Sequence, residues 1–224
     1  MHAKMKPVPP TVEAETRWWS AGYTRVAGLD EAGRGAWAGP VFAGAVILPL
    51  YCLPALLEGV RDSKQLSPAR REMLLAAIVT RAVAVGAGSA TAAEIDALGI
   101  VPATCLAMAR ALAALTPQPE ALLIDALPLP EIALPQRSFP FADALSLSVA
   151  AASIVAKVSR DRWMVEVAER DFPGYGFARH KGYGTRQHQE ALHALGVSAI
   201  HRHTFRPVAE VEAGTSRSLP DQSV

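Results

Sequence analysis

Apolar and polar positions divide the chain into short uncharged runs of strand length and longer amphipathic stretches. Residues 40–48 (PVFAGAVIL) carry no charge, which predicts a strand buried on both faces. Residues 25–29, 82–88, 120–124 (EALLI) and 138–141 are four further strand candidates. Residues 67–80 read as a helix, with Ser67 as cap, Pro68 in the first position and Glu72 near the positive end of the dipole. Residues 101–115 predict a second helix, and residues 144–170 are helical throughout, in one or two pieces. Residues 185–195 form the last predicted helix. Strands alternating with helices point to an α/β domain with a mixed central sheet flanked by helices. The proline-rich start and the polar end lack periodicity. The expected organisation is a flexible tail over 1–16, one domain over 17–211 and a second tail over 212–224.

Composition narrows this picture. The 224 residues suit one sizeable domain, half of them are hydrophobic, and aromatics at 6% imply a core of small aliphatic side chains. A net charge of +1 advertises no polyanionic partner for the molecule as a whole. Cys52 and Cys105 are too few for a disulfide framework, and no CxxC suggests zinc. The uncharged stretch 36–57 approaches the length of a membrane span, but Pro40, Pro49 and Pro54 interrupt it, so it reads as a strand, a loop and a short turn. Residues 1–15 hold no apolar run, so no signal peptide and no membrane partner are expected, and the expected location is cytoplasmic.

The informative residues are carboxylates at the ends of apolar segments. Asp30 and Glu31 follow the first strand candidate, Asp125 ends the fourth, and Asp143 lies between a strand and the long helix. Carboxyl ends of parallel strands open onto the ligand crevice. If the first and fourth strands are parallel neighbours, Asp30, Glu31 and Asp125 meet at one edge. Such a cluster repels itself unless hard cations such as Mg²⁺ or Mn²⁺ relieve it, an arrangement suited to two-metal phosphoryl transfer. Each acid also has a plainer reading: Asp143 as a helix cap, Asp125 as the start of a turn, Asp30 and Glu31 as a solvated loop. Spacing alone leaves both open.

Gly33-Arg34-Gly35-Ala36-Trp37-Ala38 fits a loose dinucleotide fingerprint, the signature of a nucleotide-cofactor oxidoreductase. That fingerprint needs a helix next, whereas Gly39-Pro40 and a strand-like run follow. No P-loop pattern is present. From residue 157 to 206 there are nine Lys or Arg against five acids, interleaved with Tyr175, Phe177, Tyr183 and Phe205. Basic residues with aromatics suit a nucleic-acid backbone; a solvated face with a few buried rings is the alternative.

Five blocks together resemble bacterial ribonuclease HII. They are VAGLDEAGRG at 26–35, DSKQLS at 62–67, LLID at 122–125, AASIVAKVSRD at 151–161 and HKGYGT at 180–185, in the family's order. The resemblance spans about 26–208 and implies a ribonuclease H-like fold for the catalytic domain. It implies cleavage of the RNA strand in RNA–DNA hybrids, and incision 5′ of single ribonucleotides embedded in duplex DNA, leaving 3′-hydroxyl and 5′-phosphate ends. The family's four metal-binding acids fall on Asp30, Glu31, Asp125 and Asp143, which implies two Mn²⁺ or Mg²⁺ ions. Gly33, Arg34 and Gly35 match the loop that reads the ribose 2′-hydroxyl, and Tyr183 matches the tyrosine at the RNA-to-DNA junction. Lys64, Ser153 and Lys157 fall in blocks similar to its phosphate-contacting positions. The expected partners are hybrid and ribonucleotide-containing duplexes, bound by a monomer, with a sliding-clamp contact left open.

Two departures stand out: Ala126 replaces the family's glycine, and Phe141-Ala142 replaces its Lys-Gly before the fourth acid. A structure-selective DNA nuclease built on similar acids remains the third reading; it would need neither the glycine loop nor Tyr183.

Overall fold

A computed structural model describes residues 9–51 and 57–216. In chain order the elements begin α1 (Glu13–Ser20), β1 (Val26–Ala32), β2 (Val41–Ile47), α2 (Pro68–Arg81), β3 (Ala84–Ala90), α3 (Ala92–Leu98) and α4 (Ile100–Ala113). They continue β4 (Ala121–Asp125), β5 (Gln136–Phe139), α5 (Ala142–Leu145), α6 (Leu147–Trp163), α7 (Glu169–Asp171), α8 (Phe177–His180), α9 (Arg186–Leu195) and α10 (Arg206–Ser216).

The sheet runs β3-β2-β1-β4-β5. β2 is antiparallel to both neighbours, whereas β1, β4 and β5 are parallel. This is the mixed sheet that the alternating pattern predicts. One face carries α6 with α1 and α2 over Val46, Leu123, Val149 and Ile154. The other carries α4 and α3 over Leu29, Ile47, Met108 and Ile124. The layers approach closely because the facing side chains are small. A Cβ at Gly28 would lie 2.3 Å from the Ser148 carbonyl carbon, so only glycine lets β1 meet the start of α6. A third cluster of Ala38, Met164, Tyr175 and Phe177 builds a smaller lobe from the C-terminal segments. Among the described residues no helix is long and apolar enough to cross a membrane, and the 36–57 stretch contains β2.

Several boundaries differ from the sequence reading, for physical reasons. β1 runs on to Ala32, so Asp30 and Glu31 lie within a strand rather than beyond it. The parallel ladder to β4 stops at Leu29, but the antiparallel ladder to β2 continues to Ala32 opposite Phe42. The 144–170 helix begins earlier, at Ala142, and is broken at Ser146, whose backbone is extended and whose hydroxyl accepts the Val149 N–H as the cap of α6. A π-helical turn at Met164–Ala168 interrupts its far end. Asp143 is not a helix cap: it sits inside α5, whose cap residue is Phe141. The segment expected as a tail over 1–16 contains the start of α1, and α10 follows the helix expected to be last and enters 212–224. Residues 1–8 and 217–224 of those expected tails, and most of the loop expected after β2, lie outside the described residues.

Candidate active site

Register places the first two acids. Leu29 of β1 pairs with Ile124 of β4, so the next step along parallel strands brings Asp30 level with Asp125. Beyond Asp125 the chain loops out and returns through β5, where Asp125 pairs with Phe139, and four residues later reaches Asp143. The Asp125 carboxylate accepts the Ala142 N–H at 2.7 Å, which ties the end of β4 to the first turn of α5. Two residues in this hinge hold left-handed backbone without being glycine: Ala126 at φ +57° and Phe141 at φ +60°.

The acids lie near enough for their charges to act on one another. Asp30 is buried, and its carboxyl is held well above the ordinary range by that burial and then by the charges of Glu31 and Asp125. Burial also raises Glu31, against the pull of Arg34, whose guanidinium lies 3.1 Å from one Glu31 oxygen. The other oxygen, Oε2, is buried with no hydrogen-bond partner. Asp143 is pushed up to about 6, by burial first and then by Asp62 and Asp125. Burial disfavours the charge of Lys64, but Asp62, Asp30, Asp143 and Asp125 outweigh it and raise its pKa. Asp62 therefore belongs to the site. It lies in the DSKQLS block, but its own residue type gave no reason to separate it from a helix-starting turn. The acids act on one another without closing on one point: among the described residues no three His, Cys, Asp or Glu side chains form an ion-holding group.

The glycine loop joins β1 to β2. Gly33 has φ +95°, and a Cβ there would fall 1.9 Å from Arg160 Nε, so this glycine makes room for a buried guanidinium rather than for a ligand. Gly35 is the open position, with nothing within 4 Å of its Cβ direction. The loop leads into a strand, with no helix behind the glycines to receive a pyrophosphate. Tyr183 is half-buried, with Lys157 Nζ 5.6 Å and Arg160 Cζ 5.2 Å from the centre of its ring.

The remaining expected contacts separate. Lys64 is exposed and close to the acids. Lys157 is tied to Asp161 at 2.6 Å. Ser153 is buried: its hydroxyl donates to the Ala150 carbonyl and accepts the Ser63 N–H at 3.3 Å, linking α6 to the Asp62–Lys64 turn. Arg160, one turn of α6 beyond Lys157, is fully buried and cannot line a duplex path. It donates to the carbonyls of Pro40, Ala38 and Lys181. Arg202, which no motif singled out, donates to those of Gly33, Arg34 and Gly39.

The family model for ribonuclease HII matches residues 27–208. A ribonuclease HII of Thermus thermophilus is 57% identical over 196 residues, which are 88% of this chain and 93% of that protein. The chain belongs to the ribonuclease HII family. It is an endoribonuclease of the ribonuclease H type, acting on RNA–DNA hybrids, and its α/β fold is ribonuclease H-like. The crystal structure of ribonuclease H2 from Pyrococcus horikoshii superposes with a TM-score of 0.75 at 28% identity, covering 86% of this chain and 99% of that one. The ribonuclease HII in a PCNA complex from Archaeoglobus fulgidus gives a TM-score of 0.68 at 29% identity, covering 83% and 96%.

Proposed function

We propose that the chain, beyond cleaving hybrids, incises duplex DNA on the 5′ side of a single embedded ribonucleotide, and that the four acids do so with two divalent ions. The observation that carries this reading is the parallel register that levels Asp30 with Asp125 among acids that raise one another's protonation. The donors fit hard cations: all are carboxylates, Asp30 and Asp143 are buried, and Glu31 offers a buried oxygen with no partner. Asp30, Glu31, Asp125 and Asp143 would hold the ions, Mg²⁺ or Mn²⁺, whose charge offsets the repulsion and favours attack on phosphorus. A water oxygen bonds to phosphorus, the bond from phosphorus to the 3′-oxygen breaks, and that oxygen leaves with a proton, giving 3′-hydroxyl and 5′-phosphate ends.

The chain's own residues select the site of attack. Gly35 leaves the loop open to a sugar, and Arg34 stands beside Glu31, so a 2′-hydroxyl bound there lies next to the acids. The partly exposed Tyr183 ring packs on the neighbouring sugar. Lys64, among the acids, meets the phosphate; Ser153 and Lys157 contribute by holding the Asp62–Lys64 turn and the Tyr183 face. The active form is a monomer on one duplex. The test is a panel of three substrates of one sequence: a hybrid, a duplex with one ribonucleotide and an all-DNA duplex, each with Mg²⁺, Mn²⁺ or EDTA. Cutting of the first two alone, abolished by EDTA, is expected. Cutting of the all-DNA duplex would favour the structure-selective nuclease, and an uncut ribonucleotide duplex with either ion would refute the incision reading.

A further inference from the structure

His201 and Arg202 are adjacent, both are fully buried, and each reaches a different half of the proposed ribose-reading surface. Their segment is pinned to the glycine loop, because Arg202 N–H donates to the Trp37 carbonyl at 2.8 Å and Gly39 N–H to the Ile200 carbonyl at 2.7 Å. The Arg202 guanidinium donates at 2.8 Å to the Arg34 carbonyl, at 2.8 Å to the Gly33 carbonyl and at 3.0 Å to Gly39. Among the described residues no carboxylate forms an ion pair with it, and burial with the nearby Arg160 charge lowers its pKa to about 9. Burying a cation to hold three carbonyls is costly, so the geometry it enforces is the gain.

His201 faces the other way, and its hydrogen bonds fix every proton. Ser198 sets its hydroxyl at 2.8 Å and its N–H at 3.0 Å from His201 Nδ1; the hydroxyl can take either role, but the N–H can only donate, so Nδ1 accepts. The His201 proton is then on Nε2, 3.0 Å from His188 Nε2, which accepts it. His188 thus carries its proton on Nδ1 and donates to the Tyr183 carbonyl at 3.1 Å. Thr185 N–H donates to the same carbonyl at 2.8 Å. His180 stacks on His188 with ring centroids 4.4 Å apart, which leaves the relay no slack on that side.

We propose that His201 and Arg202 form a positioning pair, with His188 as the link, that fixes the spacing between Tyr183 and the Gly33–Arg34–Gly35 loop and so sets discrimination for a single ribose. This rests on the reading of those two elements as the ribose readers. None of the three residues touches substrate. They determine how well two surface elements, far apart in sequence, match one sugar.

The test compares Kd for a duplex bearing one ribonucleotide with Kd for the all-DNA duplex, by anisotropy with Ca²⁺ replacing the catalytic ion. The wild type should prefer the ribonucleotide. In His201→Phe, which keeps a ring but ends the relay, and in Arg202→Lys, which loses the fork, that preference should fall roughly tenfold, as for loss of one or two buried hydrogen bonds. His201→Gln, able to accept at one end and donate at the other, should recover most of it. A wild type without preference would overturn the ribose-reading assignment and this inference with it. A preferring wild type whose two folded variants prefer equally well would overturn the positioning pair alone. Long-range ¹⁵N NMR of the wild type stands independent of variant folding: protons on His201 Nε2 and His188 Nδ1 support the relay, and a proton on His188 Nε2 refutes it.

Discussion

Asp125 holds two positions at once: its carboxylate bears on Asp30, Glu31 and Asp143, and one of its oxygens caps the start of α5. Asp125→Asn keeps an oxygen for the Ala142 N–H and removes one negative charge. Cleavage should be lost, while the metal-free variant melts at or above the wild-type temperature, because repulsion among the acids is relieved. Product formation within a few-fold of wild type would remove Asp125 from the centre. The neighbouring Ala126 makes a separate point. A non-glycine residue at φ +57° costs about 1 kcal/mol or slightly more, partly offset by the entropy glycine would lose on folding. Ala126→Gly should therefore stabilise by roughly 0.5 kcal/mol, read in urea unfolding; a loss of stability would show that the methyl packs usefully. The strain itself was not legible in the sequence, because backbone angles are set by the β4–β5 return. The departure from glycine was.

At the level of elements, the strands were readable because uncharged aliphatic runs of that length have few other fates. The short helices were less so. α3 opens on Thr91 and Glu94, which form a capping box visible as T-x-x-E, yet no helix was expected between residues 88 and 101. α1 was hidden by its polarity, and its decisive residue is a buried acid. Glu15 Oε1 accepts the Ser146 hydroxyl at 2.6 Å, the Ser148 N–H at 2.8 Å and the Ser148 hydroxyl at 2.6 Å, so α1 holds the first turn of α6 just beyond Asp143. Glu15→Ala leaves these donors unmet and should cost about 2–3 kcal/mol in chemical denaturation. A cost under 0.5 kcal/mol would return residues up to 16 to the tail first expected there. The histidine relay predicts a pH dependence. Burial lowers His188 and His201 to about 4 from an ordinary 6.5. Between those values the unfolded chain binds more protons, so this contribution to stability is complete above about 6.5 and is lost as pH falls toward 4. Raised Asp30 and Asp143 act with opposite sign over part of this range. The relay is therefore read as a difference: His201→Phe should show a shallower fall in urea stability from pH 6.5 to 4 than wild type. Equal slopes would mean that these rings are not buried neutral.

Across the whole molecule, a near-neutral chain gathers Asp30, Glu31, Asp125 and Asp143 in one region and buries two arginines beneath its loops. The basic C-terminal third read as a duplex path, but its cations divide. Arg160 and Arg202 are buried beneath the loops, Lys157 and Arg186 pair with Asp161 and Glu190, and Lys181 donates to the Ala178 carbonyl. Charge counting along a sequence cannot make this division, because a buried arginine and a phosphate-binding one share the same letter. The four acids were legible as strand-end carboxylates and, through the resemblance, as a set; that Asp30 comes level with Asp125 required the parallel register of β1 and β4, and Asp143 reaches them by the return through β5. The most direct test of the account is the position of the nick in a 5′-labelled duplex with one ribonucleotide, mapped at nucleotide resolution with wild type and Asp125→Asn. One cut by the wild type is expected, immediately 5′ of the ribonucleotide and leaving a 3′-hydroxyl, and none by the variant. Cuts elsewhere in the duplex, a cut 3′ of the ribose, or an active variant would contradict it.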